Sequence, residues 1–164
     1  MLPARSRSLF FLAFLVSVAA VSAVLYLERV VGLAPCALCL VQRFFLVAFG
    51  LVCLVATLHG PTAVGRRVYA ALALLFALGG GLSATRQLWL QGSTGPSDAV
   101  CQPGIAYLWQ SQSWAEVAKA LLLGSPECAR VNWTLLDMSL PEWSLLAFTG
   151  MLVFALWQLL QRNR

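Results

Sequence analysis

The stretch LVQRFFLVAFGLVCLVATL, Leu40–Leu58, decides how this chain folds. It is about as long as a helix must be to cross a ~30 Å hydrocarbon core at ~1.5 Å per residue. It shows no period-2 alternation, so a helix is expected and a barrel strand is not. Three other blocks share its character: Ser8–Leu27, Val68–Leu88 and Ser144–Leu160, the last being the shortest. Of the 164 residues, 60% are hydrophobic and 10% charged, and the mean hydropathy is +0.82. A soluble domain of this size needs more polar surface than that. The expected fold is an all-α membrane protein: a four-transmembrane-helix bundle forming a single integral membrane domain over residues 1–164, with spans at about 8–27, 40–58, 68–88 and 144–160.

Charge orients the spans. Arg5, Arg7, Arg66, Arg67, Arg162 and Arg164 mark the two ends and the middle connection, which hold no acid. All six acids, Glu28, Asp98, Glu116, Glu127, Asp137 and Glu142, fall in the other two connections. Lys and Arg gather in short cytoplasmic segments, which puts both termini inside. The connections at about 28–39 and 89–143 then lie outside, in the periplasm if the cell is bacterial. The net charge of +5 is mostly this topology signal; arginines scattered at membrane edges make no nucleic-acid stripe. Arg5, Arg7 and the small residues of AAVSAV, Ala19–Val24, also resemble a cleavable leader. The apolar run continues through Leu27, longer than a leader's core, so an uncleaved helix is expected.

Upstream of the deciding stretch stands APCALC, Ala34–Cys39, and four of the five cysteines fall in the outer connections: Cys36, Cys39, Cys101 and Cys128. An oxidising compartment lets disulfides persist there. Cys53, mid-helix among apolar neighbours, reads as a small hydrophobe without a role. A Cys101–Cys128 bridge would close a loop of nearly thirty residues, and loops of that size gain roughly 3–4 kcal/mol by chain entropy. A Cys36–Cys39 bridge would constrain almost nothing, and such short pairs are usually redox-active or metal-binding. A structural zinc site wants two close ligand pairs. Cys101 and Cys128 are too far apart to supply the second, and the one histidine, His59, lies on the inner side, so no metal is expected.

Thiol–disulfide exchange is the chemistry left for Cys36 and Cys39. With a helix beginning near Pro35, Cys36, Cys39 and Arg43 lie at i, i+3 and i+7 on one face. First-turn amides and a guanidinium both stabilise a thiolate. Arg43 could instead snorkel to the headgroups, but an ionisable residue in a span is more often functional.

In the long outer connection, GSTGPSDAVCQPG, Gly92–Gly104, is too rich in Gly, Pro and Ser to order itself and is expected to carry Cys101 as a mobile strap. SWAEVAKALLLG, Ser113–Gly124, reads as a short amphipathic helix: Ser113 and Glu116 form a capping box, Gly124 is a stop, and Trp114, Val117, Ala118, Leu121 and Leu122 share an apolar face. It is expected on the membrane surface, with packing on the bundle end as the alternative.

A proline-led Cys-x-x-Cys opening the second of four helices, Arg43 four residues past Cys39, two further cysteines in the long outer loop, and ECARVNWTLLDMSLPEW, Glu127–Trp143, together resemble the DsbB family of bacterial inner-membrane disulfide bond formation proteins. The resemblance covers essentially the whole chain. It implies a quinone-dependent oxidoreductase that reoxidises a thioredoxin-fold dithiol partner, DsbA, and passes the electrons to ubiquinone or menaquinone in the membrane. It further implies that Cys101 receives the partner in a mixed disulfide. Cys101–Cys128 then exchanges with Cys36–Cys39 through a transient Cys36–Cys128 bond, and Cys39 meets the quinone as a thiolate with Arg43 stabilising it. DsbA's established potential is about −120 mV, against about −180 to −210 mV for lumenal glutathione. Passing electrons from DsbA to that pool would be uphill by ~3–4 kcal/mol at about 30 mV per 1.4 kcal/mol, so a stronger oxidant is required.

Two departures qualify the likeness. Gln42 stands where some relatives carry an acid beside the arginine, and a histidine that some have after the third helix is replaced near Gln91 or Gly92. Arg86 is nearby and could meet the quinone or the headgroups. Two other functions compete: a vitamin K epoxide reductase-like thiol oxidase, whose active pair is expected late in the bundle, and a non-enzymatic metal chaperone or assembly factor. One chain carries all the cysteines needed, so a monomer suffices.

Overall fold

The computed structural model describes residues 2–32, 36–93, 114–124, 134–135 and 137–161. The elements in chain order are α1 (Leu2–Arg29), α2 (Ala37–His59), α3 (Ala63–Ser93), α4 (Trp114–Leu123), β1 (Thr134–Leu135), β2 (Met138–Ser139) and α5 (Leu140–Leu160). Helices α1, α2, α3 and α5 are each long and apolar enough to cross a membrane. Cys101, Cys128, Pro35, Ser113 and most of the expected mobile strap lie outside the described residues. The first two residues of that strap, Gly92 and Ser93, are helical: α3 runs five residues past the expected end at Leu88.

The bundle is inverted relative to a soluble protein, because lipid gives helices no hydrophobic reason to pair. Large aliphatic residues such as Leu51, Leu58, Leu75, Leu82 and Val153 face outward. Small residues hold the contacts. Ala70, Ala73, Ala77, Gly80 and Ala84 recur along one buried face of α3, and α3 packs most extensively on α5 and α2. Gly79 sits under the Phe45 ring and Gly80 under Phe148; a Cβ at either position would overlap the ring. Phe10, Phe49, Cys53 and Met151 fill the rest of the core.

One end of the bundle is closed by arginines. Gly60 caps α2 in the left-handed region at φ 56°. Arg7 reaches across to donate its Nε–H to the Thr57 carbonyl at 3.1 Å, and buried Arg66 donates to the Gln161 carbonyl at the end of α5 at 3.0 Å. These cations lie where helix carbonyls run out of partners, which is where they stabilise most.

Three local expectations need correction. Helix α5 begins at Leu140, four residues before the expected Ser144. Glu142, expected in the outer connection, lies in the first turn of the helix; its carboxylate accepts the Ser139 backbone N–H at the N-terminus, with Pro141 beside it. Before it, Thr134 pairs with Ser139 and Leu135 with Met138 in a two-rung hairpin that turns at Asp137, φ 64°. The apolar face of α4 also divides. Buried Val117 and half-buried Leu121 form an inner stripe against the start of α2, while Trp114, Ala118 and Leu122 are left exposed. Helix α4 thus packs on the bundle end.

Candidate functional site

The site is built on the opening of α2. Cys36 is the N-cap, and its Sγ accepts the Cys39 backbone N–H at 3.3 Å. The helix therefore begins at Ala37 rather than at Pro35, because a cysteine side chain takes the place usually held by Ser or Asp. The two sulfurs stand 2.7 Å apart, within easy reach of a bond of about 2.05 Å. Cys36 is buried and Cys39 half-buried. Leu90 of α3 and Leu121 of α4 cover Cys36, Ala37 and Leu38. Gly124 closes α4 at φ +84°, and a Cβ there would lie 2.6 Å from Leu90 and 2.9 Å from Leu38, so only glycine lets α4 approach this closely.

On the bundle side, Cys39 opens onto a cavity of about 350 Å³ between α1, α2, α3 and α5, whose walls include Leu27, Gln42, Arg43, Gln87, Trp143 and Phe148. Arg43 is where the i, i+3, i+7 spacing put it, on the same wall as Cys39. Its Nη2 also pairs with Glu28 Oε2 at 2.7 Å, tying the end of α1 to α2. Behind the cysteines, Gln42 Nε2 donates to Gln87 Oε1 at 2.7 Å, and Gln87 Nε2 lies 3.5 Å from the Sγ atoms of both Cys36 and Cys39.

Sequence reasoning did not single out Gln87, and used Glu28 only as a topology marker. The signal for Gln87 was present, since an amide in a span must find a partner, but its partners lie 45 to 51 residues away in sequence. Gln42, a departure in the sequence, proves to be a buried hydrogen-bond donor. Arg86 lies over the Trp89 ring, 5.7 Å from its centroid, and is not on the cavity wall. Cys53 is fully buried in the core. His59 bonds Tyr69 at 2.8 Å at the far end of α2. Among the described residues, no group of three His, Cys, Asp or Glu could hold a metal.

Comparison with known proteins converges on one family. The sequence profile described as "Disulfide bond formation protein DsbB" matches residues 6–158. Disulfide bond formation protein B of Stutzerimonas stutzeri is 52% identical over 160 residues, covering 98% of both chains. Disulfide bond formation protein B 1 of Pseudomonas aeruginosa is 49% identical over 161 residues, 97% of this chain and 98% of that one. The namesake in Hahella chejuensis is 43% identical over 145 residues, 88% of each. These matches give no support to a vitamin K epoxide reductase-like enzyme or to a metal chaperone. A four-span bundle with a vicinal cysteine pair at one helix mouth, matched along its length by these relatives, belongs to the DsbB family of membrane disulfide oxidoreductases.

Proposed function

We propose that this chain reoxidises a periplasmic DsbA-type dithiol and passes the electrons through Cys101–Cys128 and Cys36–Cys39 to a membrane quinone, ubiquinone or menaquinone. The observation that carries this reading is the cavity: Cys39, one sulfur of a close cysteine pair, opens onto an almost wholly apolar space between the helices that also receives a guanidinium. Its volume of about 350 Å³ suits a substituted ring. A second apolar cavity of about 420 Å³ shares Ala20, Trp143 and Ala147 with it and continues between α1 and α5, matching a ring that carries a long apolar tail. Arg43 and the Gln42 amide would hold the ring carbonyls, and the quinone supplies an acceptor for two electrons and two protons.

In the first exchange, a partner thiolate attacks Cys101, the Cys101–Cys128 bond breaks, and the partner's second thiolate resolves the mixed disulfide. Two electrons and two protons then reside on Cys101 and Cys128. Cys128 attacks Cys36, and Cys39 leaves as a thiolate at the cavity wall. Cys101 displaces Cys36 from Cys128, which restores the outer disulfide and leaves the inner pair reduced. The α2 N-terminus and Arg43 stabilise the charge on Cys39. Re-forming the Cys36–Cys39 bond returns the pair to its starting state.

The orientation follows from the same picture. All 164 residues form a single integral membrane unit in the bacterial inner membrane, with loops at about 28–39 and 89–143 in the periplasm and both termini in the cytoplasm. Arg7 and Arg66 sit at the end of the bundle opposite the cysteines, which supports this assignment. The test is quinone reduction by the purified protein with a reduced DsbA-type donor. Turnover is expected, and both Cys39→Ser and Cys101→Ser should abolish it; absence of turnover with quinone supplied would overturn the reading.

A further inference from the structure

Gln87 is a polar side chain within the membrane-spanning length of α3, and only 4% of it is exposed. Both ends of its amide are engaged. Oε1 accepts from Gln42 Nε2 at 2.7 Å, and Nε2 lies 3.5 Å from each of the two sulfurs. Gln42 is itself only 6% exposed, so the two amides form a bridge withdrawn from water. Buried amides keep such a bond because leaving it unmade is costly, and with Gln42 as donor it is Nε2 of Gln87 that lies nearer the sulfurs.

We infer that Gln87, oriented by Gln42, is a positioning residue for the Cys36–Cys39 pair and favours its reduced state over the disulfide. The inference rests on the reading of that pair as the quinone-facing couple. A thiolate is a strong, charge-assisted acceptor, whereas a disulfide sulfur is a poor one. Nε2 stands at the same distance from both sulfurs, so it serves whichever carries the charge as exchange moves from Cys36 to Cys39. A protonated Cys39 also has an acceptor on the same amide, with Oε1 at 3.8 Å. Each contact assists a reduced form, and stabilising the reduced form is what makes a dithiol pair a stronger oxidant.

The experiment equilibrates the full-length protein, carrying Cys101→Ser and Cys128→Ser, with glutathione buffers and measures the Cys36–Cys39 disulfide. Two glutathione thiols lose two electrons and two protons; their disulfide forms as the Cys36–Cys39 bond breaks. Gln87→Met, similar in shape but lacking the donor, is expected to lower the equilibrium constant for reduction about tenfold, equivalent to about 30 mV. Gln42→Met should shift it the same way by about threefold. The double variant should go no further than Gln87→Met alone, as coupled residues do. A constant within about twofold of the unsubstituted protein in Gln87→Met, or in Gln42→Met should the first fail to fold, overturns the inference. Failure of the underlying reading shows separately: with Cys101 and Cys128 restored, Cys39→Ser would retain quinone reduction.

Discussion

Arg43 pairs with the Glu28 carboxylate at 2.7 Å and shares a cavity wall with Cys39, so on the proposed reading it would serve two anions at different moments, that carboxylate and a thiolate at Cys39. A guanidinium suits this double duty because it keeps its charge at any working pH and offers several donors in a fixed fork. Arg43→Gln is expected to raise the quinone concentration for half-maximal turnover at least about tenfold, with Arg43→Lys between it and the unsubstituted protein, because the charge survives and the fork does not. Steady-state titration with a soluble quinone checks the order. Cys36, Cys39 and Arg43 were legible in the sequence because helix periodicity alone brings them together. Glu28 and Gln87 were not, because each meets its partner through packing between helices far apart in the chain.

At the scale of elements, α3 governs the site by its lack of side chains. Gly80 lets Phe148 of α5 lie against the α3 backbone, and Phe148 is also a wall of the cavity. Gly80→Ala should lower thermal stability in detergent by roughly 1–3 kcal/mol, the usual cost of overpacking, and weaken quinone binding with it. Adding Phe148→Leu should recover part of the stability and less of the binding. Helix α4 has a corresponding control point in Gly124. Gly124→Ala should loosen α4 from Leu90 and Leu38 and speed alkylation of Cys36 in the reduced protein, measured by trapping with a maleimide. The spans themselves could be read from apolar length. Their ends could not: Glu142 read as part of the outer connection until it served as a cap, and the polar residues of Gln91–Ser93 looked like loop until they completed α3.

Over the whole molecule, the bundle has two unlike ends. At one, Arg7 and Arg66 cap the carbonyl ends of helices; at the other, the amide end of α2 faces two sulfurs. Charge pattern and helix polarity therefore agree, as expected if the arginines lie inside. In a background lacking the native cysteines, Trp114→Cys is expected to react with a membrane-impermeant maleimide from outside the inner membrane, and Arg67→Cys only after lysis. The reverse pattern would invert the assigned orientation. Four helices and their sidedness could be argued from composition, because the bilayer constrains both strongly. The cavity beside Cys39 could not, since it depends on how far α1 and α5 stand apart.

On the proposed reading the Cys36 sulfur has two occupations, since the atom that would exchange electrons is also the atom that holds the first turn of α2 by accepting the Cys39 N–H. Whenever that sulfur is committed to Cys128, the cap must re-form in new geometry or be lost, and the turn frays as uncapped turns do. Each catalytic cycle would then loosen and reseal a few backbone amides. Deuterium uptake at Cys39 and Leu40 should accordingly run faster in a trapped Cys36–Cys128 intermediate than in the resting protein. The backbone at the helix mouth would thus report the redox state of the enzyme, without a label and without the quinone.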